Sequence, residues 1–148
     1  MIFITLKNPV FEQALWEEVR KIRTEVFVVE QAVDEAEEYD EHESTARHFL
    51  AYADGEPAGT ARWRQTEKGF KLERFAVLQK FRGKGVGKVL VEAVLSEVIP
   101  EAKASGKPIY LHAQVQALPF YAGLGFTPYG ELFDEANILH RAMAFTSL

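Results

Sequence analysis

Three glycines stand at every second position between three cations in the segment Arg82-Gly83-Lys84-Gly85-Val86-Gly87-Lys88. Glycines let a backbone turn sharply and approach a ligand closely, and a helix that starts at such a turn leaves its first amide N–H groups without internal acceptors. Those groups, the partial positive charge of a helix start and the side chains of Arg82, Lys84 and Lys88 form an anion site suited to phosphate. Two familiar phosphate loops do not fit it. A P-loop needs four residues between its glycine and the Gly-Lys pair and then Ser or Thr, whereas Gly87-Lys88 is followed by Val89, which also counts against an ATP-dependent transferase. A dinucleotide fingerprint needs G-x-G-x-x-G after the first strand of a βαβ unit, whereas Gly83, Gly85 and Gly87 are spaced by two and follow a later strand.

The elements that must position this loop are legible from periodicity. Ile2, Ile4 and Leu6 alternate with Phe3 and Thr5 as in a short strand. Asn8 and Pro9 read as the cap and first residue of a long amphipathic helix carrying Phe11, Leu15, Val19, Ile22 and Val26 on one face. From 30 to 43 that period fails while Asp34, Glu35, Glu37, Glu38, Asp40, Glu41 and Glu43 accumulate, which predicts a solvated loop or irregular helix. Strands are expected at 48–53 and 58–64 around an Asp54-Gly55 turn, with Pro57 closing the turn region, and a further strand from Phe70 or Lys71 to Val77.

After the glycine-rich turn, Val86, Leu90, Val94 and Val98 recur every four residues, and Ser105, Gly106 and Pro108 signal the end of that helix. A strand at 109–113, a short helix at 118–124 closed by Gly125, and a final strand pair at 129–133 and 139–145 complete the chain. The order predicts a mixed α/β (α+β) domain. With 148 residues and 47% hydrophobic content it is expected to be one domain over 1–148, with no internal repeat.

The spelling Arg82-x-x-Gly85-x-Gly87 resembles the pyrophosphate loop of the GNAT superfamily of N-acetyltransferases. A second segment, Ala117-Leu118-Pro119-Phe120-Tyr121-Ala122-Gly123-Leu124-Gly125-Phe126, is similar to that family's A-x-x-x-Y-x-x-x-G-F stretch, and about one helix's length lies between the two, as in the family. The runs Val26-Phe27-Val28-Val29-Glu30-Gln31 and Tyr110-Leu111-His112-Ala113-Gln114 look like its ElaA-like or YjcF-like subgroup. The resemblance covers nearly the whole chain. It implies a mostly antiparallel sheet flanked by helices, with a splayed strand pair forming an acyl-CoA cleft. It also implies acetyl-CoA as co-substrate, held by Phe75, Ala76 and Val77 along a strand and by Arg82, Gly83, Lys84, Gly85, Val86, Gly87 and Lys88 at the loop, with Gln114 and Phe120 alongside. Gln114 stands where the family often has Asn, and Gln79 where a proline is common.

Amine attack on a thioester needs a neutral amine, a polarised carbonyl and a leaving sulfur that receives a proton or hydrogen bond. Tyr121 occupies the family's position for the last role, and a phenol of pKa about 10 suits a thiolate whose parent pKa is near 8.5. A backbone N–H near Val77 would polarise the carbonyl. Glu73, which by period two shares a strand face with Phe75 and Val77, is the first candidate base, and His112 the second. Trp63, Arg64 and His112 are expected at the acceptor site, although packing is at least as good a role for Trp63.

Composition restricts the alternatives. There is no cysteine, so thiolate nucleophiles, disulfides and thiolate metal sites are excluded; His42, His48 and His140 lack a zinc spacing, and no metal is expected. A net charge of −5 disfavours nucleic acid as a partner. No apolar run of roughly 20 residues is present, so the expectation is a cytoplasmic protein without a membrane partner. The reading is an acetyltransferase acting on a small-molecule or peptide amine. The alternative is an acyl-CoA-binding regulatory module without turnover. Apolar strands near the C-terminus could pair across a homodimer.

Overall fold

A computed structural model describes residues 2–6 and 13–147, the side chains of 4–6 excepted. The expected helix start at Asn8, Pro9 and Phe11 lies outside the described residues. Strands β1 (Ile2–Leu6), β2 (Arg47–Ala53), β3 (Glu56–Gln65), β4 (Phe70–Val77), β5 (Ile109–Gln114), β6 (Phe126–Glu135) and β7 (Ile138–Phe145) form one sheet in the order β1-β2-β3-β4-β5-β7-β6. The helices are α1 (Gln13–Arg23), α2 (Glu35–Glu38), α3 (Val86–Ser105) and α4 (Leu118–Ala122). Every strand pair is antiparallel except β4 with β5. The mixed α/β fold, with a mostly antiparallel sheet flanked by helices, is the one expected.

Two-residue turns at Asp54-Gly55 and Ala136-Asn137 close hairpins, all four residues at positive φ, which matches the twist of the strands they join. Pro57 lies inside β3 and does not end the turn region. Period two then sorts the strands between two cores. Phe49, Ala51 and Ala53 pack with Leu90, Val94 and Val98 of α3 on one face, and Leu50 packs with Val19 and Ile22 of α1 on the other. At Thr24–Glu30 the first helix widens into a π-helical turn, where Val26 joins the α1 core.

The parallel pair is short. Only Phe70, Lys71 and Leu72 meet Ile109, Tyr110 and Leu111; beyond them the strands part, leaving residues 73–77 of β4 and 112–114 of β5 with an open edge toward each other. Arg74, at φ 59, lies at a register shift between β3 and β4. The bulge resets the alternation: Leu72, Phe75 and Val77 all pack on the α3 side, while Ala76 packs on the α1 side. Glu73 therefore does not share a face with Phe75 and Val77, contrary to the period-two expectation, because one extra residue shifts the phase by half a period.

Candidate active site

The gap between β4 and β5 opens a cleft of about 520 Å³ that reaches both faces of the sheet. Phe75, Val77, Leu111, Ala113, Ala117 and Tyr121 make an apolar throat, and Arg64, Lys71, Glu73, His112, Glu135 and His140 line a polar chamber. Arg82, Gln114 and Ala76 also border the cleft. Of the residues expected to act in catalysis or to hold cofactor or acceptor, nine line the cleft, Arg64, Glu73, Phe75, Ala76, Val77, Arg82, His112, Gln114 and Tyr121, whereas Gly83, Lys84, Gly85, Val86, Gly87 and Lys88 do not.

Arg82 borders the cleft, and beyond it the glycine-rich loop leads into α3. Gly83 and Gly85 sit at φ 77 and 88, where a side chain would be strained. Among the described residues, no hydrogen bond takes an amide N–H from residues 83–88; the first paired amide is that of Val89, bonded to Gly85 O. This is a row of donors aimed outward from a 20-residue helix start. Val86 is buried beneath the loop, so only its backbone is offered. Lys84 and Lys88 are exposed. Arg82 Nε donates to Val77 O at 2.9 Å, and its terminal nitrogens reach Glu30 at 3.0 Å. Leu78 N–H bonds back to Ala58 O on β3, so by alternation the N–H of Val77 faces the open side.

Tyr121 is buried among rings while lining the cleft: Phe75, Phe120 and Phe126 lie edge-on with centroids at 6.0, 5.0 and 5.9 Å. Burial pushes its phenol well above the ordinary value, so the hydroxyl keeps its proton. Among the described residues no hydrogen bond engages it. Phe120 does not line the cleft; its ring packs over Gly87, where an added Cβ would stand 3.3 Å from it. Trp63 also lies elsewhere. It is buried on the α3 face, its indole Nε1 donating to Glu97 Oε1 at 3.0 Å, because period two turns it away from Arg62 and Arg64.

The acidic run is only in part the solvated loop or irregular helix that its composition suggested. It holds the short helix α2, and Asp34, Glu35, Glu37 and Glu41 are exposed. Glu38, however, is 2% exposed and, with Asp40 and Glu43, is pinned under the sheet by three arginines. Arg23 binds Glu38 and Glu43, Arg62 binds Asp40, Glu43 and Glu73, and Arg74 binds Glu38 and Asp40. Burial alone would raise the Glu73 carboxyl, but Arg62, Lys71, Arg74 and Arg64 together bring it below its ordinary value. Its Oε2 takes Arg62 Nε at 2.6 Å and Arg64 Nε at 3.0 Å.

Glu135, at the end of β6, supplies what the sequence reading missed. Its Oε1 stands 3.1 Å from His112 Nδ1, and its Oε2 lies 3.8 Å from His140 Nε2. The hydrogen bond from His112 holds the Glu135 carboxyl down to about 2, against its burial. An ionised carboxylate can only accept, so in the neutral ring His112 carries its proton on Nδ1 and Nε2 is the acceptor nitrogen. Gln31, beyond the π-helical turn, accepts from Gln114 Nε2 at 2.8 Å across the splayed edge. Gln31 belongs to the run Val26 to Gln31 that carries the subgroup resemblance, though nothing in that run assigns it a contact; no local signal marks Glu135. The strand pairing that places His140 opposite Gln114 and Phe133 opposite His140 brings Glu135 in.

A family model described as Acetyltransferase (GNAT) domain matches residues 10–147. The uncharacterized N-acetyltransferase YjcF of Bacillus subtilis is 41% identical over 123 residues, 82% of this chain and 86% of that protein. The crystal structure of Escherichia coli ElaA superposes with a TM-score of 0.85 at 28% identity, covering 99% of this chain and 100% of that one. That of an acyl-CoA N-acyltransferase from Pseudomonas aeruginosa gives 0.81 at 26%, with 99% and 100% covered.

Proposed function

The chain belongs to the acetyltransferase (GNAT) family, and from that membership we propose that it moves an acetyl group from acetyl-CoA to a primary amine by direct attack in a ternary complex. Its similarity to YjcF and ElaA supports a place beside them as a single acyltransferase domain. The observation that carries the reading is the row of unpartnered amides at residues 83–88, which follows directly on Arg82 at the border of a cleft that a protonated phenol also lines.

The donor row, with Arg82, Lys84 and Lys88, fits a pyrophosphate, and the open β4 edge at Phe75, Ala76 and Val77 fits the pantetheine arm as an added strand-like partner. Bound acetyl-CoA supplies an activated thioester carbonyl. The chain supplies the rest. The outward Val77 N–H stabilises charge that develops on the carbonyl oxygen, and Tyr121 donates to the departing sulfur.

For the base, we favour His112 over Glu73. The Glu73 carboxylate is saturated by cations and held below its ordinary value, which makes it a weak proton acceptor. His112 lines the chamber, among the described residues no hydrogen bond engages its Nε2, and Glu135 at Nδ1 would fix the tautomer and stabilise the imidazolium that forms. Titration calorimetry with acetyl-CoA, with ATP and NAD as controls, tests the cofactor, and thiol release across an amine panel tests turnover. Micromolar binding of acetyl-CoA alone is the expected result. Binding without thiol release for any amine would instead favour a regulatory acyl-CoA module, and no binding would end both readings.

A further inference from the structure

Charge in the polar chamber is arranged in two poles, and the arrangement narrows the acceptor. Resting on the acetyltransferase reading, we propose that the acceptor is zwitterionic: its anionic group, a carboxylate or phosphate, sits on Arg64 and Lys71, and its amine is turned toward His112 and Glu135.

Arg64 on β3 and Lys71 on β4 are register partners, and both line the chamber. They belong to a network in which five cations, Arg23, Arg62, Arg64, Lys71 and Arg74, face four carboxylates, Glu38, Asp40, Glu43 and Glu73. Arg23, Arg62 and Arg74 are matched by Glu38, Asp40 and Glu43. Arg64 and Lys71 are left to share Glu73, which Arg62 also engages. The surplus positive charge thus lies at the Arg64 and Lys71 end. Arg64 bonds Glu73 through Nε alone, and among the described residues no hydrogen bond engages its two terminal nitrogens. That edge of a guanidinium matches the two oxygens of a carboxylate or phosphate.

The opposite pole is Glu135. Among the described residues its ion-pair partners are the imidazoles of His112 and His140, with no arginine or lysine beside it. Lys71 nevertheless contributes to keeping its carboxyl low, so the two poles are within electrostatic reach, as the two ends of one small molecule are. A polyamine would set a second cation against Arg64 and Lys71. An alkylamine without an anionic group would leave the two terminal nitrogens of Arg64 without an acceptor, and the surplus charge that Arg64 and Lys71 carry over Glu73 uncompensated, on closing the chamber, an unfavourable desolvation.

The test is thiol release with the full chain at saturating acetyl-CoA, comparing matched acceptors: L-alanine with ethylamine, L-phenylalanine with phenethylamine, 2-aminoethyl phosphate with ethanolamine, and spermidine as a polycation. The anionic member of a pair should exceed its partner in kcat/KM on the order of ten- to a hundredfold, and which pair shows the ratio tells carboxylate from phosphate. Arg64→Gln and Lys71→Gln, each checked by circular dichroism and acetyl-CoA calorimetry, should collapse that ratio through the KM of the anionic member. Equal or better turnover of the amines without an anion, or of spermidine, overturns the proposal. So does a ratio that survives in both folded variants, or no turnover of any acceptor by a chain that binds acetyl-CoA. Loss of acetyl-CoA binding in the unaltered chain would instead remove the acetyltransferase reading itself.

Discussion

Arg62 Nε donates to Glu73 Oε2 at 2.6 Å beneath the cleft, with both side chains buried. The same guanidinium holds Asp40 through two bonds of 3.0 and 2.7 Å and Glu43 through one of 2.8 Å. One cation thus gathers three carboxylates from two regions of the chain and fastens the acidic segment under β3 and β4. Arg62→Met would leave those carboxylates facing one another out of water, and a loss of about 3 kcal/mol or more is expected. Urea unfolding measures it. A loss below about 1 kcal/mol would mean that the acidic segment is held by something other than this cation.

The same cluster fixes how stability responds to acid. The ordinary carboxyl values here are 3.8 for Asp40 and 4.5 for Glu43, Glu73 and Glu135; burial opposes the arginines or histidines around each, and all four end lower in the fold. A group lowered by folding stabilises above its unfolded value and loses that contribution as pH falls through its folded one. His48 acts in the same sense, because burial lowers its imidazole below 6.5. Glu38, raised by burial, acts oppositely just above 4.5. Five groups against one predict a melting temperature that falls from about pH 6.5 downward and more steeply below 4.5. Scanning calorimetry from neutral pH to 4 reads this directly, and a rise on acidification would contradict it.

The order of elements and the loop were legible because each depends on neighbours in sequence: alternation at 48–53, four-residue recurrence from Val86, glycines at a helix start. What failed depends on partners brought from a distance. Asp40 and Glu43 look solvated until β3 delivers Arg62, and no composition reveals that meeting. Glu73 seemed to face Phe75 because a bulge at Arg74 leaves no mark in a period-two count. Trp63 was ambiguous between cleft and core, and only α3 with its Glu97 decides. Glu135 entered the site through the register of β7 against β5 and β6.

Tyr121 separates packing from chemistry cleanly. Its ring contacts with Phe75, Phe120 and Phe126 survive in Tyr121→Phe, and the hydroxyl lost has no hydrogen bond to a described residue. Stability and acetyl-CoA affinity should therefore stay close to the original, while turnover falls by about 10²-fold or more. Unchanged turnover would reduce the residue to core packing.

Gly85 tests the loop. Nothing lies within 4 Å of an added Cβ, so the cost of Gly85→Ala is that of a side chain at φ 88 alone, about 1 kcal/mol. If the amides from Gly83 onward hold the pyrophosphate, a local shift of the turn should weaken acetyl-CoA binding by more than stability suffers. Calorimetry beside thermal melting compares the two, and equal affinity in a destabilised variant would separate the loop from the cofactor.

The identity of the base is decided by where the acid limb of kcat/KM falls and which substitution removes it. A limb owned by Glu73 would lie below pH 4.5, because Arg62, Lys71, Arg74 and Arg64 outweigh its burial and lower its carboxyl. Activity limited by that group would therefore hold its plateau well into acid. A limb at higher pH that persists in Glu73→Gln and vanishes in His112→Gln, with a loss of about 10²-fold or more at neutral pH, assigns the proton to the imidazole. Glu135→Gln adds a check that packing cannot mimic. The amide can still accept from Nδ1–H but no longer balances the charge a ring gains on taking the amine proton, so kcat/KM at neutral pH should fall while acetyl-CoA affinity stays close to the original. An unchanged kcat/KM would confine Glu135 to holding the ring in place, and an acid limb unaffected by His112→Gln would return the role to a water in the chamber.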